Sequence, residues 1–256
     1  MRILIVNDDG LYSNGMIQLE QELKKKFEVY AICPDRQRSA TSQAITIRET
    51  LIVEKVSSTH YKVNGYPVDC VNIGLYSNLL PPIDLVISGI NHGPNLGDDV
   101  HYSGTVGAAR HALVHEKFAI AISYENPDLK GDFTRVAKWF SLWLEENYHN
   151  LKRNVLYNIN YPLENNVYLD DPYPEVAFTF QGKRLYKDEY EILEEEAQQQ
   201  WLLKLKETIL GKEILPGSDF DAIMNKKISI TPLTLNTTHW EELERWKNYA
   251  IQYRKS

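Results

Sequence analysis

The run Asn7-Asp8-Asp9-Gly10 sets two carboxylates side by side directly after a short apolar segment. Adjacent carboxylates repel each other unless they share a cation or one of them holds a proton. Joined by hydroxyl and amide oxygens, they suit a hard divalent cation such as Mg²⁺ or Mn²⁺. The two cysteines, Cys33 and Cys70, do not have zinc-type spacing. Asp-Gly is also frequent in plain turns, so the pair acquires chemical meaning only from its company.

That company comes from two other places. After a second apolar segment stand Asp35, Arg36, Arg38, Ser39 and Ser42; after a third stand Asn91, Asn95, Asp98 and Asp99, leading to Ser103-Gly104-Thr105. Ser39 and Asn91 offer neutral oxygens beside the acidic pair, which strengthens the metal reading. Ser103-Gly104-Thr105 opens an Ala-rich helix whose first N–H groups and dipole favour a phosphate, though the same residues also make an ordinary helix cap. Arg36 and Arg38 are phosphate-type donors, or else solvated loop arginines. His92 and His101 could do acid–base work or serve structure. The glycines between 89 and 104 let backbone approach a ligand without matching a Walker or dinucleotide pattern.

The elements that must hold these residues are legible as alternation. Residues 2–6 read as a buried strand, 16–26 as a helix, and 27–33 as a second strand, a βαβ unit with a right-handed crossover expected. Alternating stretches at 45–56 and 60–64 suggest a hairpin. A helix over 67–78 starts at a proline. Then come a strand at 83–88, a long loop at 89–102, a helix at 104–115, a strand at 118–123, an amphipathic helix at 133–148 and a strand at 155–159. This is the pattern of a doubly wound, mostly parallel, Rossmann-like α/β sheet, in which ligands bind at the carboxyl ends of the strands. All three polar clusters fall at such ends. A strand at 227–230 and a helix at 241–252 close the chain. Between them and the sheet, 174–216 is charged, aromatic and poor in short apolar strands. It reads as a protruding hairpin or arm on one domain spanning 1–256, either an oligomer contact or a solvated surface.

The bulk properties agree with a soluble globular protein. The 256 residues carry 28 Lys and Arg against 35 Asp and Glu, a net charge of −7 that disfavours a nucleic-acid polymer as partner. The first apolar run is far too short for a signal peptide, and no segment approaches a membrane span. Cys33 and Cys70 read as reduced, buried thiols of a cytoplasmic protein.

The same residues carry a resemblance. Asn7-Asp8-Asp9-Gly10, the run from Pro34 to Ser39, the run from Ser88 to Gly97, and Tyr102-Ser103-Gly104-Thr105-Val106 look like successive motifs of the SurE survival-protein family. Asp69-Cys70-Val71, Gln181-Gly182-Lys183-Arg184, Gly217-Ser218-Asp219-Phe220 and Ser229-Ile230-Thr231-Pro232-Leu233 continue the match in the family's order. The resemblance implies a 5′-nucleotidase that hydrolyses nucleoside monophosphates, extending to 3′-nucleotides and short polyphosphate, with a divalent cation. It implies Asp8, Asp9, Ser39 and Asn91 as the metal ligands, and Asn95, Ser103, Gly104 and Thr105 as the phosphate pocket. It also implies a homodimer or homotetramer built through the C-terminal arm. Two departures stand out: Thr234 where many members have His, and Tyr66 where a small residue is usual.

The expected chemistry is metal-assisted hydrolysis, with Asp8 or Asp9 activating water; the sequence does not choose between them. A covalent aspartyl-phosphate route would want its two aspartates separated by one residue. A phospho-receiver module would need an acceptor Asp near 51–60, where none occurs. A catalytically weak nucleotide- or phosphate-binding protein of the same fold is the alternative.

Overall fold

A computed structural model describes residues 1–126, 132–164, 171–196, 200–206 and 211–253. In chain order the elements are β1 (Arg2–Val6), α1 (Asn14–Leu23), β2 (Glu28–Pro34), β3 (Val53–Lys55), β4 (His60–Val63), α2 (Pro67–Tyr76) and β5 (Leu85–His92). A 3-10 turn at Gly97–His101 leads to α3 (Gly104–Val114), β6 (Phe118–Tyr124), α4 (Phe133–Asn147) and β7 (Leu156–Tyr161). Then follow β8 (Val176–Phe178), β9 (Lys183–Leu185), β10 (Tyr190–Glu196), β11 (Gln200–Leu205), β12 (Gly211–Glu213), α5 (Asp219–Met224), β13 (Ile228–Leu233) and α6 (Trp240–Tyr253).

The main sheet runs β3-β4-β2-β1-β5-β6-β7-β13-β8. Its centre is parallel: Ile3 pairs with Val29 on one side and Leu85 on the other. Antiparallel pairing enters only toward the edges, between β3 and β4 and between β13 and β7. The parallel α/β sheet with helices on both faces is the architecture expected from the alternating pattern. Strands β1, β5 and β6 are largely buried and rich in Ile, Leu, Val and Ala because helices cover both sides. On one face α1 and α4 pack Met16, Leu19, Leu23, Val136, Phe140 and Leu144 against Ile3, Ile5 and Ile87. On the other, α2 and α3 set Cys70, Val71, Ala108, Ala109 and Ala112 against Leu4, Val6 and Val86. The alanines of α3 let that helix lie close on the strands. Truncating a side chain such as the fully buried Phe140 to Ala would cost about 3–5 kcal/mol.

Helix starts are set by local chemistry. Ser13 caps α1 and Ser103 caps α3, each hydroxyl accepting from the third residue on. Asp132 does the same for α4 through Thr134. Pro67 opens α2, and the carboxylate of Asp69 accepts from the N–H of Tyr66 at 2.8 Å.

Three stretches differ from the sequence expectation. Only residues 53–55 of 45–56 form strand, because Thr46 gives its N–H and hydroxyl to Asp69 at 2.9 and 2.8 Å instead of to a ladder. The strand expected to end at 88 continues to His92: after a register shift, Asn91 and His92 pair with Ser123 and Tyr124. Gly89 makes this irregularity possible, with φ at +137° and a place where a Cβ would stand 2.2 Å from the carbonyl of Ile122. Third, part of 174–216 belongs to the sheet, since β8 pairs in parallel with β13. The rest of that stretch forms the β9–β12 and β10–β11 ladders, while 197–199 and 207–210 lie outside the described residues. Tyr190, Ile192, Leu193, Trp201, Leu202, Leu203 and Leu205 on the β10–β11 ladder are all exposed.

Candidate active site

The chain leaves β1 toward β2 on one side and later returns to lay β5 on the other. The crevice between the carboxyl ends of β1 and β5 is therefore the switch point of the sheet, where open α/β sheets bind ligands. A cleft of about 550 Å³ opens there. Its lining includes Asp8, Asp9, Ser39, Asn91, Asn95 and Ser103, so six of the sequence-predicted residues come together.

The turn after β1 is held by Asn7. Its amide nitrogen donates to the Gly10 carbonyl and to Ser13 Oγ, both at 2.9 Å, and its oxygen accepts from the Gly10 N–H at 3.0 Å. With the turn fixed, Asp8 points inward and is only 4% exposed. Its Oδ1 accepts a 2.6 Å hydrogen bond from Thr105 Oγ1, and its backbone carbonyl accepts from the Arg38 N–H at 2.7 Å. Burial raises the Asp8 carboxyl to about 6; the Thr105 hydroxyl works against that rise and the charge of Asp9 adds to it. Asp9 is also raised, again chiefly by burial, with His92 partly compensating. His92 Nδ1 lies 3.6 Å from Asp9 Oδ2, and that oxygen is buried with no hydrogen-bond partner.

The other oxygens of the set come from separate elements. Asn91 donates its Nδ2 to the carbonyls of Gly93 and His92 at 2.9 and 3.3 Å. Those carbonyls only accept, which fixes the amide and leaves its oxygen as the atom offered to the cleft. Ser39 is exposed and accepts from Gln37 Nε2 at 3.1 Å. Two unneutralised carboxylates, an amide oxygen and a hydroxyl form an all-oxygen donor set that fits a hard divalent cation. Among the described residues no group of three or more His, Cys, Asp and Glu side chains is placed to hold an ion. A cation here would therefore lean on Ser39 and Asn91 as well as on the acidic pair.

Asn95 and the start of α3 form the polar wall opposite. Asn95 is anchored by its N–H to Asn160 Oδ1 and by its Nδ2 to Ser123 Oγ, both at 2.8 Å. Asn158 and Asn160 also donate to its carbonyl, at 2.9 and 3.1 Å. One hydrogen of its amide group remains for the cleft. Gly104 stands where a side chain would crowd its neighbours: a Cβ would lie 3.0 Å from Asp8 Oδ2 and 3.1 Å from Thr41 Oγ1. Thr105, fully buried, acts on Asp8 and does not line the cleft.

The two arginines named from sequence are not brought to the cleft. Arg38 gives Nη2 to the Asn64 carbonyl at 2.9 Å and stacks its guanidinium 5.2 Å from the Tyr66 ring centroid. The Tyr66 ring thus competes with the cleft for the Arg38 guanidinium. Arg36 lines a second hollow with Tyr12, Asp35 and Lys62 that shares Asp9 with the cleft. His92 lines the cleft, whereas His101 does not. Thr234 lines a different hollow with Leu113, Val114 and Arg153. Gln37, Tyr102, Arg184 and Tyr186 also line the cleft and were not given site roles from sequence, while Asp99, part of the third polar cluster, lines it too. Arg184 and Tyr186 stand in a stretch read as an arm, where the only signal was the run Gln181-Gly182-Lys183-Arg184.

The family model described as Survival protein SurE matches residues 3–188. A 5′-nucleotidase SurE from Leptospira interrogans is 42% identical over 95% of both chains. One from Pseudoalteromonas atlantica is 37% identical over 95% of this chain and 96% of its own. The crystal structure of the SurE protein from Aquifex aeolicus superposes with a TM-score of 0.80 over the whole of both chains, at 29% identity.

Proposed function

The chain belongs to the survival protein SurE family, and from that premise we propose that it is a divalent-metal-dependent 5′-nucleotidase releasing phosphate from nucleoside monophosphates. The observation that carries the reading is the juxtaposition of the buried Asp8 carboxylate and the part-buried Asp9, whose Oδ2 is buried without a partner, with the N-terminus of α3 at the switch point. Asp8, Asp9, Ser39 and Asn91 would hold the cation. When bound, it supplies positive charge for a phosphoryl oxygen and acidity for a water.

The chain's own residues do the rest. The Asn95 amide and the N-terminal N–H groups of α3 donate to the phosphoryl oxygens, and they are preorganised because their frameworks are already hydrogen-bonded. Thr105 Oγ1 favours the charged form of Asp8. Asp9, less fully enclosed and facing His92, orients the attacking water and accepts its proton. Activity on 3′-nucleotides and short polyphosphate falls within the same reading.

The exposed apolar side chains of the β10–β11 ladder support a homo-oligomer built through 174–216, because contiguous exposed apolar surface is unusual on a monomer. Cys33 and Cys70 are unpaired and buried, with burial pushing both thiols up, which supports a reducing, cytoplasmic setting. Among the described residues no helix is long and apolar enough to cross a membrane. The experiment that tests the reaction is phosphate release from nucleoside monophosphates with Mn²⁺, with Mg²⁺ and after chelation. Metal-independent release, or none, overturns it.

A further inference from the structure

Besides the carboxylates and the polar wall, the cleft is lined by a group of residues with different chemistry. At about 550 Å³ it lies within the range of pockets that enclose whole organic ligands, beyond the needs of a phosphate and an ion alone. This rim group is Asp99, Tyr102, Arg184 and Tyr186.

These four residues are locked to one another. Arg184 Nε donates to both Asp99 oxygens at 3.1 and 3.0 Å, and its Nη2 joins Asp99 Oδ2 as well. The Tyr186 hydroxyl donates to Asp99 Oδ1 at 2.7 Å. The Arg184 N–H is taken by Asp98 Oδ2 at 3.0 Å, and its guanidinium lies 4.6 Å over the Phe220 ring. Arg184 is thus neutralised and stacked, and its charge is spent on Asp99 and not on a phosphate. What the rim presents is aromatic. The rings of Tyr102 and Tyr186 meet edge to face, with centroids 5.6 Å apart and planes at 77°. Tyr102 directly precedes Ser103, so the corner begins one residue from the phosphate end, and Tyr102 is 57% exposed.

A planar base finds here an open ring face with a second ring standing across its edge. Stacking of a base on an aromatic side chain contributes about 1–3 kcal/mol and tolerates any base. We propose that Tyr102 is the stacking platform for the nucleoside base and that Tyr186, fixed by Asp99 and Arg184, closes the end of that subsite. The pair makes the enzyme select phosphate esters that carry a base over those that do not. This rests on the nucleotidase reading and adds the residues that recognise the nucleoside. It also gives the stretch holding β9 and Tyr186 a part in the substrate cleft.

The test compares kcat/KM for adenosine 5′-monophosphate and for ribose 5-phosphate, the same ester without a base, at one Mn²⁺ concentration. Wild type is expected to prefer the nucleotide. Tyr102→Ala and Tyr186→Ala should each lower the ratio of the two kcat/KM values about tenfold, mainly through KM for the nucleotide. Tyr102→Phe keeps the ring and should keep the ratio, which separates stacking from misfolding. An unchanged ratio in the alanine variants overturns the subsite, as does wild type treating the two esters alike. Failure of wild type to hydrolyse either ester overturns the nucleotidase reading itself, a distinct result.

Discussion

Thr105 Oγ1 stands 2.6 Å from Asp8 Oδ1, a bond that ties the first turn of α3 to the end of β1 across 97 residues of chain. It joins the two halves of the site, the acidic pair and the helix N-terminus, at a single buried carboxylate.

That carboxylate makes the metal-free protein less stable than it could be. Burial raises Asp8 from 3.8 to about 6, so the native state binds the proton more tightly than the unfolded chain does. The sign follows: its stabilising contribution is full below about pH 4 and is lost as pH rises through about 6. Asp8→Asn should therefore raise the stability of the chelated protein at pH 7.5 by on the order of 2–3 kcal/mol. The same variant should lower turnover at least about a thousandfold. Urea unfolding at pH 7.5 and pH 4, beside phosphate-release kinetics, checks both halves.

Thr105→Val keeps the shape of the side chain and removes the hydroxyl. Without that donor the Asp8 carboxyl rises further, because the bond favours the charged form. In the chelated protein, the pH at which the stabilising contribution of protonated Asp8 is lost should therefore move upward. Urea unfolding of Thr105→Val across about pH 4 to 8 checks it, and an unshifted stability–pH curve would separate Thr105 from the charge state of Asp8.

Gly104→Ala puts a methyl group 3.0 Å from Asp8 Oδ2 and 3.1 Å from Thr41 Oγ1. Asp8 is the neighbour least free to yield, being held by Thr105. Weaker Mn²⁺ binding by calorimetry is expected, about tenfold or more, with a melting temperature changed by only a few degrees. Tight Mn²⁺ binding in this variant would mean that Asp8 has room the geometry does not give it.

Leu203→Glu places a charge on the exposed apolar β10–β11 ladder. If that ladder is the contact between copies, sedimentation should report the monomer mass in place of a dimer or tetramer. An unchanged assembly would move the contact elsewhere, with the exposed face of α6 carrying Trp240 and Trp246 next in line.

The fold was readable because a parallel sheet buried on both faces writes itself as short apolar runs, as Ile3-Leu4-Ile5-Val6 does. The acidic pair was readable for a related reason: Asp8 and Asp9 follow such a run directly, and strand ends are where ligands bind. That Arg38 does not line the cleft was not readable because residue type says nothing of direction; its guanidinium is taken up by Asn64 and Tyr66. Tyr186 was illegible because it reaches the cleft through Asp99, 87 residues away, and its local sequence resembles surface. The extension of β5 to Asn91 and His92 was hidden by the irregularity at Gly89, which breaks the apolar pattern that marks a strand.

The central claim is a hydrolysis that needs the cation and the carboxylate pair together. Phosphate release from adenosine 5′-monophosphate should be followed in wild type with Mn²⁺, with Mg²⁺ and after chelation, with Asp8→Asn beside it. The account expects release that chelation abolishes and added Mn²⁺ or Mg²⁺ restores, and that Asp8→Asn lacks under every condition. Release that persists after chelation, or near-normal release by Asp8→Asn, would contradict it.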